Sequence, residues 1–187
     1  MLGLDGHYDD GPGLPPGGVP YLPCPVDVLL RVIEEAGVGP SDTVVDIGSG
    51  PGRATAFLHL MTGAGAVGIE VQPQLVRVAR DVAARLGLSR VPTIEGDAAK
   101  VAGFMMVGSV FLLYCPFSGA RLQAVLDHLE AIALTRPLRI CCVSMPPLAR
   151  PWLTREGGAG NELLVYRSVD PSCRPGRAGG VASLGPG

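Results

Sequence analysis

Asp46-Ile47-Gly48-Ser49-Gly50-Pro51-Gly52-Arg53-Ala54-Thr55 is the stretch on which the fold turns. In front of it Thr43–Ile47 is a short β-branched run, bounded by Ser41-Asp42 and by the glycines, and it reads as a buried strand. Behind it Ala54, Phe57, Leu58 and Met61 recur at helical spacing and end near Gly63 and Gly65. A strand, a glycine turn and a helix thus follow one another without a gap. The glycines let the backbone turn tightly and approach a ligand with no Cβ in the way. Such a turn alone occurs in dinucleotide-binding proteins and in ordinary loops. The dinucleotide fingerprint asks for a third glycine at position 53, where helix and strand pack around a pyrophosphate. Arg53 stands there instead.

Outward from this unit the alternation continues. Upstream, Val26, Leu29, Leu30 and Ile33 predict a helix, with Pro25 at its start and Gly37 at its stop. Downstream come a strand at 66–70, a helix from Pro73 with the stripe Leu75, Val78, Ala79, Val82 and Leu86, and a strand at 91–94. A fourth strand at 107–114, a helix striped by Leu122, Val125, Leu126, Leu129 and Ile132, and a fifth strand at 138–144 complete the series. Repeated βα units with continuously apolar strands predict a Rossmann-like, doubly wound α/β sheet, mostly parallel, in three layers α/β/α. Pro146, Pro147 and Pro151 forbid a long helix after the fifth strand. Residues 163–169 are expected as an antiparallel strand at the sheet margin, with Trp152 and Leu153 packed nearby. One domain is expected over 21–170, with a flexible arm at 1–20 and a flexible tail at 171–187, where Gly and Pro crowd without apolar periodicity.

Composition narrows the function classes. At 187 residues, 47% hydrophobic and 17% charged, the chain can bury a core and does not have a disordered composition. A net charge of −2 supplies no global attraction to phosphate, which argues against nucleic acid as partner. Cys24, Cys115, Cys141, Cys142 and Cys173 include no C-x-x-C pair and no nearby His at zinc spacing, so no metal is expected. Their odd number argues for a reducing compartment, and with no signal-peptide pattern at the start the expected location is cytoplasmic. Residues 101–120 carry no charge, but Gly103, Gly108, Pro116 and Gly119 break the run, which reads as a loop plus a buried strand and not as a membrane span.

The carboxylates carry the chemistry. Glu70 ends the second strand, where a carboxylate can accept both hydroxyls of a ribose. Glu95-Gly96-Asp97-Ala98 places another acid after the third strand. An Asp after Gly is also a common turn residue, and Asp46 can merely cap its own turn.

The acid followed by G-x-G-x-G at 46–52 resembles the first motif of class I S-adenosylmethionine-dependent methyltransferases, and the resemblance runs from about 21 to 169. It implies S-adenosylmethionine as cofactor. Asp46 then meets the methionine end, with Gly48, Ser49, Gly50 and Gly52 forming the cradle. Glu70 and Val71 take the ribose, and Gly96, Asp97 and Ala98 the adenine. Tyr21-Leu22-Pro23-Cys24-Pro25 resembles the aromatic-x-Pro-Thr-Pro arm of some bacterial methyltransferases, including relatives of the non-SET lysine enzymes, which adds Tyr21 to the site. Cys24 stands where those have Thr, so a hydroxyl contact is lost.

On the acceptor side the resemblance points to Tyr114, Cys115, Pro116 and Phe117. Amino-group methyltransferases show Asn or Asp, then Pro-Pro and an aromatic; here Cys115 falls near the acceptor, and a thiol accepts hydrogen bonds poorly. Cytosine-type covalent chemistry uses Pro-Cys, and the order here is reversed. His59 and His128 fall on helices and read as structural. The expectation is methyl transfer to a small molecule or a protein side chain, with a homodimer supplying a substrate cover. The alternatives are a degenerate module that binds the cofactor or a partner, and an NAD-dependent oxidoreductase, which Arg53 disfavours.

Overall fold

A computed structural model describes residue 14 and residues 19–157 and 162–173. The expected flexible arm and tail therefore lie largely outside the described residues, as do residues 158–161.

Seven strands form one sheet in the order β3-β2-β1-β4-β5-β7-β6. Strands β1 (Thr43–Ile47), β2 (Gly65–Glu70), β3 (Thr93–Glu95), β4 (Val110–Tyr114) and β5 (Arg139–Val143) are parallel. Strand β6 (Leu153–Gly157) and strand β7 (Leu163–Ser168) form an antiparallel hairpin, with β7 also antiparallel to β5. The Rossmann-like three-layer expectation holds. Helices α1 (Val26–Ala36) and α2 (Arg53–Thr62) pack on one face, α3 (Pro73–Arg85) packs on β2 and β3, and the short α4 (Ala98–Val101) meets α5 (Gly119–Ala133).

Residues alternate across the sheet. Val44, Val110, Leu112 and Cys141 pack toward α1 and Leu58 of α2, whereas Val45, Ile47, Phe111, Leu113 and Cys142 pack toward α5. The stripe expected for α5 is buried throughout, with Leu122, Val125, Leu126, Leu129 and Ile132 each 8% exposed or less. Burial of each such side chain is worth about 1.5–3 kcal/mol.

Several expectations are corrected. In α1 the buried residues are Val28, Leu29, Val32 and Ala36, while Val26 and Leu30 are 40% and 45% exposed. Val26/Leu30 and Val28/Val32 are both i, i+4 pairs, so spacing fixes the period of the helix but not its phase. In α2 Thr55 and Ala56 are buried with Leu58, and Met61 faces outward; small residues let the helix sit close to the sheet. In α3 Val76 joins Leu75, Ala79 and Val82, and Leu86 lies beyond the last turn.

Strand β3 begins at Thr93, since Pro92 has no amide to donate, although its carbonyl accepts from Gly68 N at 3.0 Å. Strand β4 begins at Val110; Val107 is exposed in a turn that Gly108 N closes onto the Met105 carbonyl. Strand β7 is not marginal, because β6 covers it. Leu153 belongs to β6 itself, and Trp152 is buried just before it.

Candidate active site

In an open α/β sheet the ligand crevice lies at the carboxyl ends of the strands, where the strand order reverses. Here the order reverses between β1 and β4. At that point lies an open cleft of about 740 Å³, bounded by the ends of β1, β2, β3 and β4 and by residues 19–22.

The glycine loop takes its shape from left-handed backbone at Gly48, Gly50 and Gly52, with φ of 82°, 55° and 79°. Gly48 N and Ser49 N both donate to the Ile69 carbonyl, at 2.9 and 3.0 Å, which ties the loop to β2. Glu70 then locks it. Its Oε2 accepts from Gly50 N at 2.9 Å and its Oε1 from Gln72 N at 2.8 Å. A carboxylate offers about four acceptor sites, so these two bonds do not exhaust Glu70, which is buried and lines the cleft. Val71, Gly96 and Ala98 line it as well.

Asp97 caps α4, with Oδ1 accepting from Ala99 N at 3.0 Å, while Oδ2 pairs with the Arg121 guanidinium at 2.7 Å. Both residues line the cleft. Asp46 is 3% exposed and takes a hydrogen bond from the Thr55 hydroxyl at 3.4 Å. Burial, with the charge of Glu70 adding to it, pushes its carboxyl up to about 7. Asp46 does not line the main cleft. With Ser49 it lines a smaller neighbouring pocket of about 300 Å³, which shares Tyr21, Leu22, Gly48 and Tyr114 with the cleft.

Residues 19–22 roof the junction. The Tyr21 ring lies so close over Gly50 that a Cβ there would run into it, and Val19 N donates to the Pro116 carbonyl at 3.3 Å. A Cβ at Gly48 would lie 2.9 Å from Pro116 Cβ, so the β1 and β4 loops touch. Gly52 packs on Ala79. Tyr114, Cys115, Pro116 and Phe117 all line the cleft, with Cys115 at φ 40°. Of the expected cofactor residues, Tyr21, Gly48, Glu70, Val71, Gly96, Asp97 and Ala98 line the same cleft as Tyr114 to Phe117, Asp46 and Ser49 line the neighbouring pocket, and Gly50 and Gly52 line neither.

Gln72 and Arg121 line the cleft without having been singled out from sequence. Gln72 could have been found as the neighbour whose amide Glu70 must hold; a single Arg opening a helix carries no signal. His59 and His128 bond to the carbonyls of Ala64 and Ala99, at 2.6 and 3.0 Å, away from the cleft. Burial, with Asp46 adding, pushes the Cys24 thiol up to about 12, which disfavours thiolate chemistry there. Among the described residues no group of His, Cys, Asp or Glu is placed to hold a metal ion, and no helix is long and apolar enough to cross a membrane.

Comparison with known proteins follows the same outline. Residues 44–133 match the family described as "Methyltransferase domain". An RNA methyltransferase from Salinibacter ruber, solved in complex with S-adenosyl-L-homocysteine, is 26% identical with a TM-score of 0.57, over 80% of this chain and 95% of that one. A variant of MtNAS in complex with S-adenosylmethionine is 18% identical with a TM-score of 0.61, over 78% of this chain and 62% of that one, a likeness of fold. The ribosomal RNA small subunit methyltransferase A of Caulobacter vibrioides is 37% identical over 83 residues, 44% of this chain. The chain spans 31% of the length of that curated relative. By its strand order, its glycine loop and the methyltransferase-domain match over 44–133, the chain is similar to S-adenosylmethionine-dependent methyltransferases.

Proposed function

We propose that the chain binds S-adenosylmethionine across the cleft and the smaller pocket and transfers its methyl group to an acceptor that enters beside Tyr114 to Phe117. One observation carries the reading: Glu70, Asp97 and Gly48 come from three different loops and border a single cleft that also reaches the β4 loop. The residues fit the cofactor. Gly48 presents bare backbone to both pockets, and the neighbouring acids suit a ribose, an adenine amino group and an ammonium.

When bound, the cofactor supplies a methyl group on a sulfonium, a leaving group already activated by its positive charge. The chain's own residues then have to orient, enclose and exclude water. Glu70 would hold the ribose, Asp97 the adenine edge and Asp46 the amino-acid end, while Tyr21 and the Val19–Pro116 bond close the roof. Positioning of this kind is worth roughly 7–11 kcal/mol, which explains a site so poor in acid–base groups. The β4 loop offers an acceptor backbone carbonyls, the Tyr114 hydroxyl and the Phe117 ring.

The acceptor is read as a small molecule or a protein side chain. Because two relatives are named for RNA, structured RNA belongs beside amines, phenols and peptides in the acceptor panel. A second reading, a cofactor-binding module without turnover, draws on the absence of any Asn, Asp or Glu at 114–117. Calorimetry with S-adenosylhomocysteine tests the binding, and no heat at millimolar ligand sinks the proposal. Binding without methyl transfer to any panel member favours the module.

A further inference from the structure

The smaller pocket is lined by two ionisable groups that form no ion pair among the described residues. Asp46 lines it from β1, and among the described residues its one hydrogen-bond partner is the Thr55 hydroxyl. Arg53 lines it from the first residue of α2 and makes no hydrogen bond or ion pair with any described residue, although its charge reaches the Cys24 thiol. The Ser49 hydroxyl, 4% exposed, has no partner among the described residues either.

Neither charge is explained by folding. A cation at a helix N-terminus opposes the helix dipole, and α2 has neither an acid in its first turn nor a side-chain cap on its amides. A buried carboxylate without a cation is costly. Opposite charges border one pocket without forming an ion pair, and a zwitterion would satisfy both.

Resting on the cofactor assignment above, we propose that Arg53 is a specificity-determining residue: it holds the carboxylate of the cofactor's amino-acid end in the smaller pocket while Asp46 takes the ammonium. The chain thereby separates intact S-adenosyl amino acids from nucleosides truncated at the sulphur. Burial holds the Asp46 carboxyl up at about 7, and a bound ammonium would shift it back toward its charged form. Position 53 is also where a dinucleotide fold needs glycine, so the residue that excludes a pyrophosphate is the one that reads a carboxylate.

The test compares S-adenosylhomocysteine with 5′-methylthioadenosine, which lacks the amino-acid end, by calorimetry on wild type, Arg53→Ala and Arg53→Lys. Loss of a charge-assisted bond predicts that Arg53→Ala weakens S-adenosylhomocysteine by roughly 10–100-fold and leaves 5′-methylthioadenosine within about twofold, with Arg53→Lys between. The nucleoside acts as an internal control for folding. Unchanged S-adenosylhomocysteine binding overturns the inference, and so does equal weakening of both ligands, which would mark Arg53 as a prop for the loop. If wild type binds neither ligand, the cofactor reading itself falls, and this inference with it.

Discussion

The loops after β1 and β4 touch at the edge of the cleft and are built on opposite principles. After β1 the left-handed backbone falls on Gly48, Gly50 and Gly52, where it costs nothing sterically. After β4 and β5 it falls on Cys115 and Ser144, with φ of 40° and 52°. Left-handed backbone costs an L residue roughly 1–2 kcal/mol, so these two positions are held by their surroundings. Pro116, next to Cys115, abuts Gly48 and accepts from Val19 N, and Ser144 N donates to the Glu162 carbonyl. The β1 loop is thus shaped by residues that want its geometry, the β4 and β5 loops by tertiary contacts that impose one.

The strongest way to break this contrast is to remove Glu70, the anchor of the glycine loop. Its carboxylate satisfies two backbone amides, Gly50 N and Gln72 N. Hydrogen bonds to a charged group are worth roughly 1.5–3 kcal/mol each, so Glu70→Ala should lose about 3–6 kcal/mol in urea unfolding and abolish S-adenosylhomocysteine binding. A loss below about 1 kcal/mol would mean that the glycines hold the loop unaided.

A second test concerns the charge buried on the cofactor side. Asp46 rises from 3.8 to about 7 on folding, chiefly through burial. Between those values the folded state keeps a proton that the unfolded state has lost. Stability from this group is therefore complete below pH 4, falls as pH rises toward 7 and levels off above it. The span corresponds to at most about 4 kcal/mol. Asp46→Asn should abolish this component, so thermal melts of the variant, referred to wild type, should gain ground steadily from pH 4 to pH 7. A constant difference across that range would show that Asp46 stays ionised in the fold.

The same contrast explains what could be read in advance. Strand β1 is legible to the residue, as are the α5 stripe and the placing of Asp46 and Glu70 near the ends of β1 and β2, because local rules set each of them. The faces of α1 and α2 are not, since packing decides which of two equivalent stripes turns inward. Strand β6 was invisible: Thr154, Arg155 and Glu156 are exposed at an edge, where solvent on both sides erases the apolar alternation. Of the residues that line the cleft, those at strand ends and beside motif glycines were named from the sequence. Arg121 was not, because its importance comes from the α5 start being brought to Asp97 across 24 residues of chain.

The smallest effect has the opposite sign and tests the acceptor side directly. If Cys115 is held in left-handed backbone by its neighbours, Cys115→Gly removes a conformational cost of roughly 1–2 kcal/mol. The freer unfolded chain returns about 0.5–1 kcal/mol of that, so the variant should be more stable than wild type by about 0.5–1 kcal/mol. Gly50→Ala, in the β1 loop, should move the other way, since it adds both a left-handed penalty and a collision with the Tyr21 ring. Urea midpoints of the two variants therefore bracket wild type. If Cys115→Gly is destabilising, the partly buried thiol is holding the loop through its packing against the α5-side core, and the two loops are less different than their backbones suggest.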